Sequence, residues 1–162
     1  MAMKKVFKNK KGISIIELLI VVAVITTAFA TLLGIAGFSL KILNSIKETT
    51  QANNLAQEAI EAVRNFRDET EWGVDGLGTL SASTDYYPQQ TGSPPQWQMT
   101  LGEETINIFT RKIVFNNVRR DGNDNIVEAG GTPDNNTKKV TVTVSWKDEQ
   151  IQIQTYLTNW RE

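Results

Sequence analysis

The chain of 162 residues contains neither cysteine nor histidine. Without cysteine it forms no disulfide and offers no thiolate to a metal ion. Without histidine it lacks the commonest general base and the commonest zinc ligand of proteins. The sequence also offers no convergent pair of carboxylates that can be assigned to one catalytic site. We therefore predict that the chain is not an enzyme and that it carries no cofactor.

Acidic residues are missing from the first twelve positions, although five lysines lie there: Lys4, Lys5, Lys8, Lys10 and Lys11. The remaining chain has twelve basic residues against eighteen acidic ones. An acidic body disfavours nucleic acid as a partner, because phosphate binding needs clustered lysine and arginine. The pair Arg119-Arg120 is too small to form such a cluster. We predict no nucleic-acid site.

Charged residues are also absent from Leu18 to Leu40, a run of 23 residues. As a helix this run would measure roughly 35 Å, more than the hydrocarbon core of a bilayer at about 30 Å. Thirteen of its residues are Leu, Ile, Val or Phe, and together they favour insertion by roughly 6 kcal/mol. Glu17 opposes insertion by about 3 kcal/mol at the bilayer centre and by less at its edge. We predict a single membrane-spanning helix with a cytoplasmic N-terminus and an exported remainder, because lysine-rich flanks stay inside.

Two simpler interpretations of this segment compete. It could be a secretory signal peptide, since Ala28-Phe29-Ala30 offers a cleavage site. Against this, the apolar character continues beyond Ala30 to Leu40. It could also be a plain signal anchor, which explains the length and the orientation but leaves Glu17 without a role.

The junction Lys10-Lys11-Gly12-Ile13-Ser14-Ile15-Ile16-Glu17, which continues as LLIVVAVI, resembles the class III signal sequence of type IV pilins and of the pseudopilins of type II secretion. The resemblance implies a basic leader over 1–12 that a prepilin peptidase removes between Gly12 and Ile13. The same enzyme would then methylate the new amine of Ile13, a position where the family most often has phenylalanine.

In that family the acidic residue at the position of Glu17 meets the N-terminal amine of a neighbouring subunit and sets the register of a filament. A buried ion pair is a weak source of stability but a good register device, because misalignment leaves a charge unpaired. The implied partners are other pilin subunits, the peptidase and N-methyltransferase, an assembly platform protein and an ATPase.

The helix is predicted to continue beyond the membrane. Apolar residues recur there at helical spacing, on one face: Ala52, Leu55, Ala56, Ala59, Ile60, Val63 and Phe66. We predict one helix over 13–68, with 13–40 as its transmembrane half and 41–68 as its amphipathic half. The segment AQEAIEAVRNFRD is similar to minor pilins and minor pseudopilins. Gly34 and Gly37 weaken the helix by about 1 kcal/mol each, and they permit either bending or the close approach of another helix.

The remaining chain predicts a small sheet. Residues 69–96 are rich in Gly, Ser, Thr and Pro and are interpreted as a loop with room for one short strand. Residues 97–162 contain two predicted hairpins: 97–101 with 105–115 around a turn at 102–104, and 139–146 with 150–160 around a turn at 147–149. The predicted fold is α+β, a long N-terminal helix packed against a four-stranded antiparallel sheet.

Between the two hairpins, Asp121, Asn123, Asn125 and Glu128 place oxygen ligands at nearly alternating positions. This spacing is a weak candidate for a calcium loop, but the glycine and the final glutamate of an EF-hand are missing. Clusters of Asp, Asn and Gly are also ordinary turn chemistry. A calcium loop predicts that added calcium changes the melting temperature or the protection of the loop, whereas an ordinary turn predicts no change.

Two functions follow from these observations. The first is a structural subunit, a minor pilin or pseudopilin, of a filament used in a type IV pilus, in type II secretion or in DNA uptake. Such filaments serve adhesion, motility or transport. The alternative is a membrane-anchored binding module that never polymerises. The N-terminus of the mature protein distinguishes them, because the first function requires a start at Ile13.

Overall fold

The structure is a computed structural model that describes residue 12 and residues 14–161. Ile13 and the leader lysines Lys4, Lys5, Lys8, Lys10 and Lys11 lie outside the described residues. The described elements are α1 (Ile15–Glu69), a 3₁₀ turn (Leu77–Thr79), β1 (Asp85–Thr91), β2 (Gln96–Leu101), β3 (Glu104–Ile106), β4 (Phe109–Arg120), β5 (Ile126–Val127), β6 (Thr132–Trp146) and β7 (Glu149–Thr158).

The chain divides into two compact units, and the boundary between Ile46 and Lys47 lies within α1. The described part of the first unit is the apolar part of α1. The second unit, called the head below, contains the rest of α1 and all the strands.

The strands form one antiparallel sheet in the order β2-β1-β4-β6-β7, and β3 and β5 each pair with β4. The centre is the long pairing of β4 with β6, in which Phe115 lies opposite Val140. β6 and β7 form a hairpin whose last pair is Trp146 with Glu149. Lys147 takes the left-handed conformation in the turn between them, at φ 51°. The predicted strand 139–146 is therefore confirmed as part of β6. The predicted strand 150–160 is confirmed as far as Thr158, where β7 ends.

The core lies between α1 and one face of the sheet. On the helix, the predicted apolar stripe is buried, with Leu55 partly buried at its edge. On the sheet, the buried partners are Ile113, Phe115, Val140, Val142, Val144 and Leu157. The predicted α+β arrangement of a long helix on an antiparallel sheet is confirmed.

The prediction of four strands is wrong, because the sheet has seven strands within residues 14–161. β1 lies within 69–96, the segment predicted to be a loop with room for one short strand, and it contains Pro88. Pro88 follows Tyr86, the last residue of β1 that pairs with β4. At Pro88, β1 therefore needs no N–H group for pairing with β4. β3 and β5 have three and two residues, too few for an alternating pattern.

The first predicted hairpin is also wrong. β2 pairs with β1, where Met99 lies opposite Pro88, and it does not pair with the strand that follows it. The predicted strand 105–115 is interrupted after Ile106, which pairs with Phe109 across a tight turn. Asn107 supplies the left-handed conformation of this turn, at φ 57°. Asparagine tolerates that conformation better than most residues.

Candidate functional site

The sequence junction lies where α1 begins. Gly12 is exposed, and a Cβ added to it would meet no described atom within 4 Å. The carbonyl oxygen of Ser14 accepts a hydrogen bond from the N–H of Leu18 at 3.1 Å, which closes the first turn of the helix. Ile13, the predicted first residue after cleavage and the predicted site of methylation, lies outside the described residues. The described part of the junction is therefore accessible.

Glu17 is the acidic residue of the first turn of α1. It is exposed, and among residues 14–161 it has no hydrogen-bond or ion-pair partner. A carboxylate in the first turn is favoured by the helix dipole. The dipole does not replace the hydration that the carboxylate would lose in an apolar environment. Any charge partner of Glu17 in such an environment must come from residues outside the described range or from another molecule.

The apolar part of α1 is not buried by any other described part of the chain. Every Leu, Ile, Val and Phe from Ile15 to Ile46 is at least 42% exposed. Among the described residues, α1 is the one helix that is long and apolar enough to cross a membrane. This is compatible with the predicted membrane-spanning helix.

The hydroxyl groups between Leu18 and Leu40 are bonded within the helix. Thr26 donates to the carbonyl oxygen of Val22 at 2.9 Å, and Thr27 donates to that of Val24 at 2.9 Å. Ser39 donates to the carbonyl oxygen of Ile35 at 2.9 Å. Each hydroxyl thus satisfies its hydrogen atom without water. An apolar surface with bonded hydroxyls suits a lipid environment, where unbonded polar groups cost several kcal/mol.

Arg111 joins α1 to the sheet in the head. Its side chain is 3% exposed and lies 2.5 Å from the Glu104 carboxylate and 3.5 Å from the Glu58 carboxylate. It also donates a hydrogen bond to the carbonyl oxygen of Leu55 at 2.9 Å. We call these four residues the Arg111 clamp. The clamp ties the amphipathic half of α1 to β3 and β4.

The loop of the calcium hypothesis is closed by Asp121. Its carboxylate accepts hydrogen bonds from the N–H groups of Asn123 and Asn125, each at 2.9 Å, and from the Asn125 side chain at 3.2 Å. The hydrogen bonds from Asn125, with that from Asn123, lower the pKa of Asp121. Within the described residues no group of three or more acidic side chains has a metal-binding arrangement. The loop geometry is that of an Asx turn.

The sequence did not point to two features of the head. One is the Arg111 clamp: the alternation of β4 places Arg111 on the same face as Phe109 and Ile113, but it does not identify the partners of the guanidinium. The other is a contact between the end of α1 and the tail after β7. There the Trp160 indole donates to the Asp68 carboxylate at 3.1 Å, and the Arg161 guanidinium donates to the carbonyl oxygen of Asp68. A polar tail after β7 gives no signal for this contact.

Comparison with protein-family models, with curated proteins and with solved structures gives no match to this chain. The structure alone therefore defines the class of protein. It is an α+β head that contains the second half of a long N-terminal helix, whose first half is apolar enough to span a membrane.

Proposed function

We propose that the chain is the precursor of a filament subunit of the type IV pilin and pseudopilin kind, of the minor class. In this proposal a prepilin peptidase removes residues 1–12 on the cytoplasmic side and methylates Ile13. The helix holds the subunit in the membrane with its head exported. A platform protein and an ATPase then add it to a filament of other pilin subunits, outside the membrane. The observation that carries the proposal is the junction from Lys10 to Glu17 at the start of an apolar helix.

The exposed surface of α1 supports this proposal. A filament core of packed helices would cover apolar side chains that are uncovered in the single chain. The driving force is modest, because lipid tails are as apolar as the helices that replace them. Specificity then depends on polar groups, and Glu17 is the charged residue nearest to the proposed new amine at Ile13.

Glu17 would act as the register device. The amine at Ile13 would be positively charged at neutral pH, and it would pair with Glu17 of the adjacent subunit. Removing one member of a buried pair costs about 3–5 kcal/mol, whereas an intact pair adds little net stability. Subunits that enter with the wrong stagger would therefore be rejected.

Processing is tested with two glycine variants. We expect Gly12→Val to keep the leader and Gly34→Val to lose it. A Cβ at either glycine meets no described atom within 4 Å, so neither change is blocked by contacts within the described chain. The measurement is the intact mass and N-terminal sequence of the protein from membranes of the native host. A wild-type start at Ile13 with a methylated amine supports the proposal. A start at Met1 favours the non-polymerising anchored module, and a start after Ala30 favours a secretory signal peptide.

Assembly is tested with Glu17→Ala. We expect this variant to be cleaved but to enter sheared filaments at about one tenth of the wild-type level or less, because an unpaired amine would be buried. Glu61→Ala is the matched control, since it removes an exposed carboxylate of the same helix that pairs with Arg64. Normal incorporation of Glu17→Ala would contradict the register role. Absence of the wild-type chain from every filament fraction would contradict the filament itself.

A further inference from the structure

The end of α1 and the tail after β7 enclose a cleft of about 430 Å³. We call it the tail cleft. Its lining includes two indole rings, a guanidinium, a carboxylate, an amide and a hydroxyl, from Trp72, Trp160, Arg67, Glu71, Asn159 and Thr70. A few polar groups placed between aromatic faces are typical of small-molecule sites.

Trp160 is held in place at this cleft although it is 58% exposed. Its indole N–H donates to the Asp68 carboxylate at 3.1 Å, and that carboxylate also accepts from the Arg67 guanidinium at 2.8 Å. The hydrogen bond from Arg67, against the effect of burial, keeps the pKa of Asp68 below its ordinary value. The Arg161 guanidinium lies 5.1 Å from the centre of the Trp160 ring and covers part of it. The exposed remainder of the ring is available to a ligand.

Trp72 is fixed by a different contact. Its indole N–H donates to the carbonyl oxygen of Asn135 at 2.9 Å, and the ring is partly buried against the core. Both tryptophans of the tail cleft have therefore already used their N–H groups. What they offer to a ligand is ring surface, and rings that are held in advance lose little entropy on binding.

A second cleft of about 320 Å³ lies beside the first and shares Thr70 with it. We call it the neighbouring cleft. Trp97 lines it, together with Gln96, Gln98, Glu69 and Asp75. Three of the four tryptophans of the chain thus line two adjoining clefts. The fourth, Trp146, is buried in the core beside Phe109.

The charges around the two clefts decide between ligand classes. Two cations, Arg67 and Arg161, lie at the clefts. Four acidic residues lie there too: Asp68, Glu69, Glu71 and Asp75. The net charge around the two clefts is therefore negative. An acidic surround repels phosphate, so a nucleic-acid strand does not fit although indole rings stack well on bases. The polar lining equally disfavours a purely apolar ligand.

We propose that the two clefts bind a neutral oligosaccharide. A pyranose ring has an apolar C–H face, which packs on an indole face, and a rim of hydroxyls, which exchange hydrogen bonds with amides, carboxylates and guanidinium groups. Trp160 and Trp97 provide the stacking surfaces of the two clefts, and Thr70 stands between them. Adjoining clefts suit successive sugar units of one chain. The site is independent of whether the subunit polymerises.

The test uses the full chain in micelles of a polyoxyethylene detergent, whose head group contains no sugar. The probes are cellotetraose, chitotetraose and maltotetraose, titrated with saturation-transfer NMR of the sugar against empty micelles. We expect saturable binding of at least one probe. Trp160→Ala and Trp97→Ala should each weaken it about tenfold, or about 1.4 kcal/mol, because each removes an indole face on which a sugar ring packs. Trp160→Phe should retain most of the binding.

Tyr156→Ala is the matched control, because it removes an exposed aromatic ring of β7 that lines neither cleft. It should leave binding unchanged. Urea unfolding of each variant shows whether its head is intact, and Trp97→Ala provides an independent test if Trp160→Ala does not fold. Binding that Tyr156→Ala weakens as much as the cleft variants overturns the proposal. So does the absence of saturable binding of all three sugars, or tighter binding of a short thymidine oligonucleotide.

Discussion

Replacement of Arg111 by methionine removes the charge of the Arg111 clamp while keeping an unbranched apolar side chain. Three groups lose a partner: the Glu104 carboxylate, whose side chain is 22% exposed, the Glu58 carboxylate, which is 54% exposed, and the carbonyl oxygen of Leu55. Removal of one partner from a buried ion pair costs about 3–5 kcal/mol. Because Glu104 keeps some contact with water, we expect the lower end, about 3 kcal/mol.

The double variant Arg111→Met/Glu104→Met removes both charges. Apolar replacement of a whole buried pair is often neutral, so we expect the double variant to recover about 2 kcal/mol of that loss. With Glu104→Met as the second single variant, these proteins form a double-mutant cycle, which gives the coupling energy of the pair. Lys112→Met is the matched control on the next residue of β4. Its partly exposed pair with Asp85 is worth about 0–1 kcal/mol.

The assay is urea unfolding of the head, followed by tryptophan fluorescence with the full chain in micelles. With a slope of about 2 kcal/mol per molar urea, a loss of 3 kcal/mol lowers the midpoint by about 1.5 M. Either of two results would refute the reasoning. One is a midpoint for Arg111→Met no lower than that for Lys112→Met. The other is a double variant as unstable as the sum of its single variants.

Three further predictions concern the head. Burial lowers the pKa of Lys138, whose amine donates to Asn117 at 2.8 Å. The unfolded chain therefore binds that proton more tightly, and stability should rise with pH up to about the ordinary value of 10.5. Lys138→Met should flatten this rise in urea titrations at about pH 8 and pH 10. The lowered pKa of Asp121 means that its contribution is present above 3.8 and is lost as the pH falls further. Asp121→Asn should reduce the acid sensitivity of the melting temperature, and calcium should leave the wild-type melting temperature unchanged; a rise with calcium would support the ion hypothesis. Ala56→Leu should destabilise the head by about 1–3 kcal/mol through overpacking, and Gln57→Leu by less than about 0.5 kcal/mol. Equal losses from these two would mean that the helix stripe is not packed on the sheet.

Much of the fold was predictable because its signals are local. The charge-free run is long enough to span a membrane, the stripe from Ala52 to Phe66 follows a helical period, and both lie in α1. The strict alternation from Val140 to Trp146 predicted the central strand. The strand pairing of the first part of the sheet was not predictable, because β1 carries a proline and β3 is only three residues long. Short irregular strands depend on neighbours that are distant in sequence.

The candidate junction from Gly12 to Glu17 is a matter of residue types and spacing, so the sequence alone determined it. The sequence also determined the apolar first half of the helix, because insertion into a membrane depends on composition summed over a segment. Only the tertiary structure decided that Arg111 contacts Glu104 and Leu55 and that three tryptophans, Trp72, Trp97 and Trp160, line adjoining clefts. The physical reason is that such contacts arise between residues far apart in the chain, and their partners are chosen by the packing of the head.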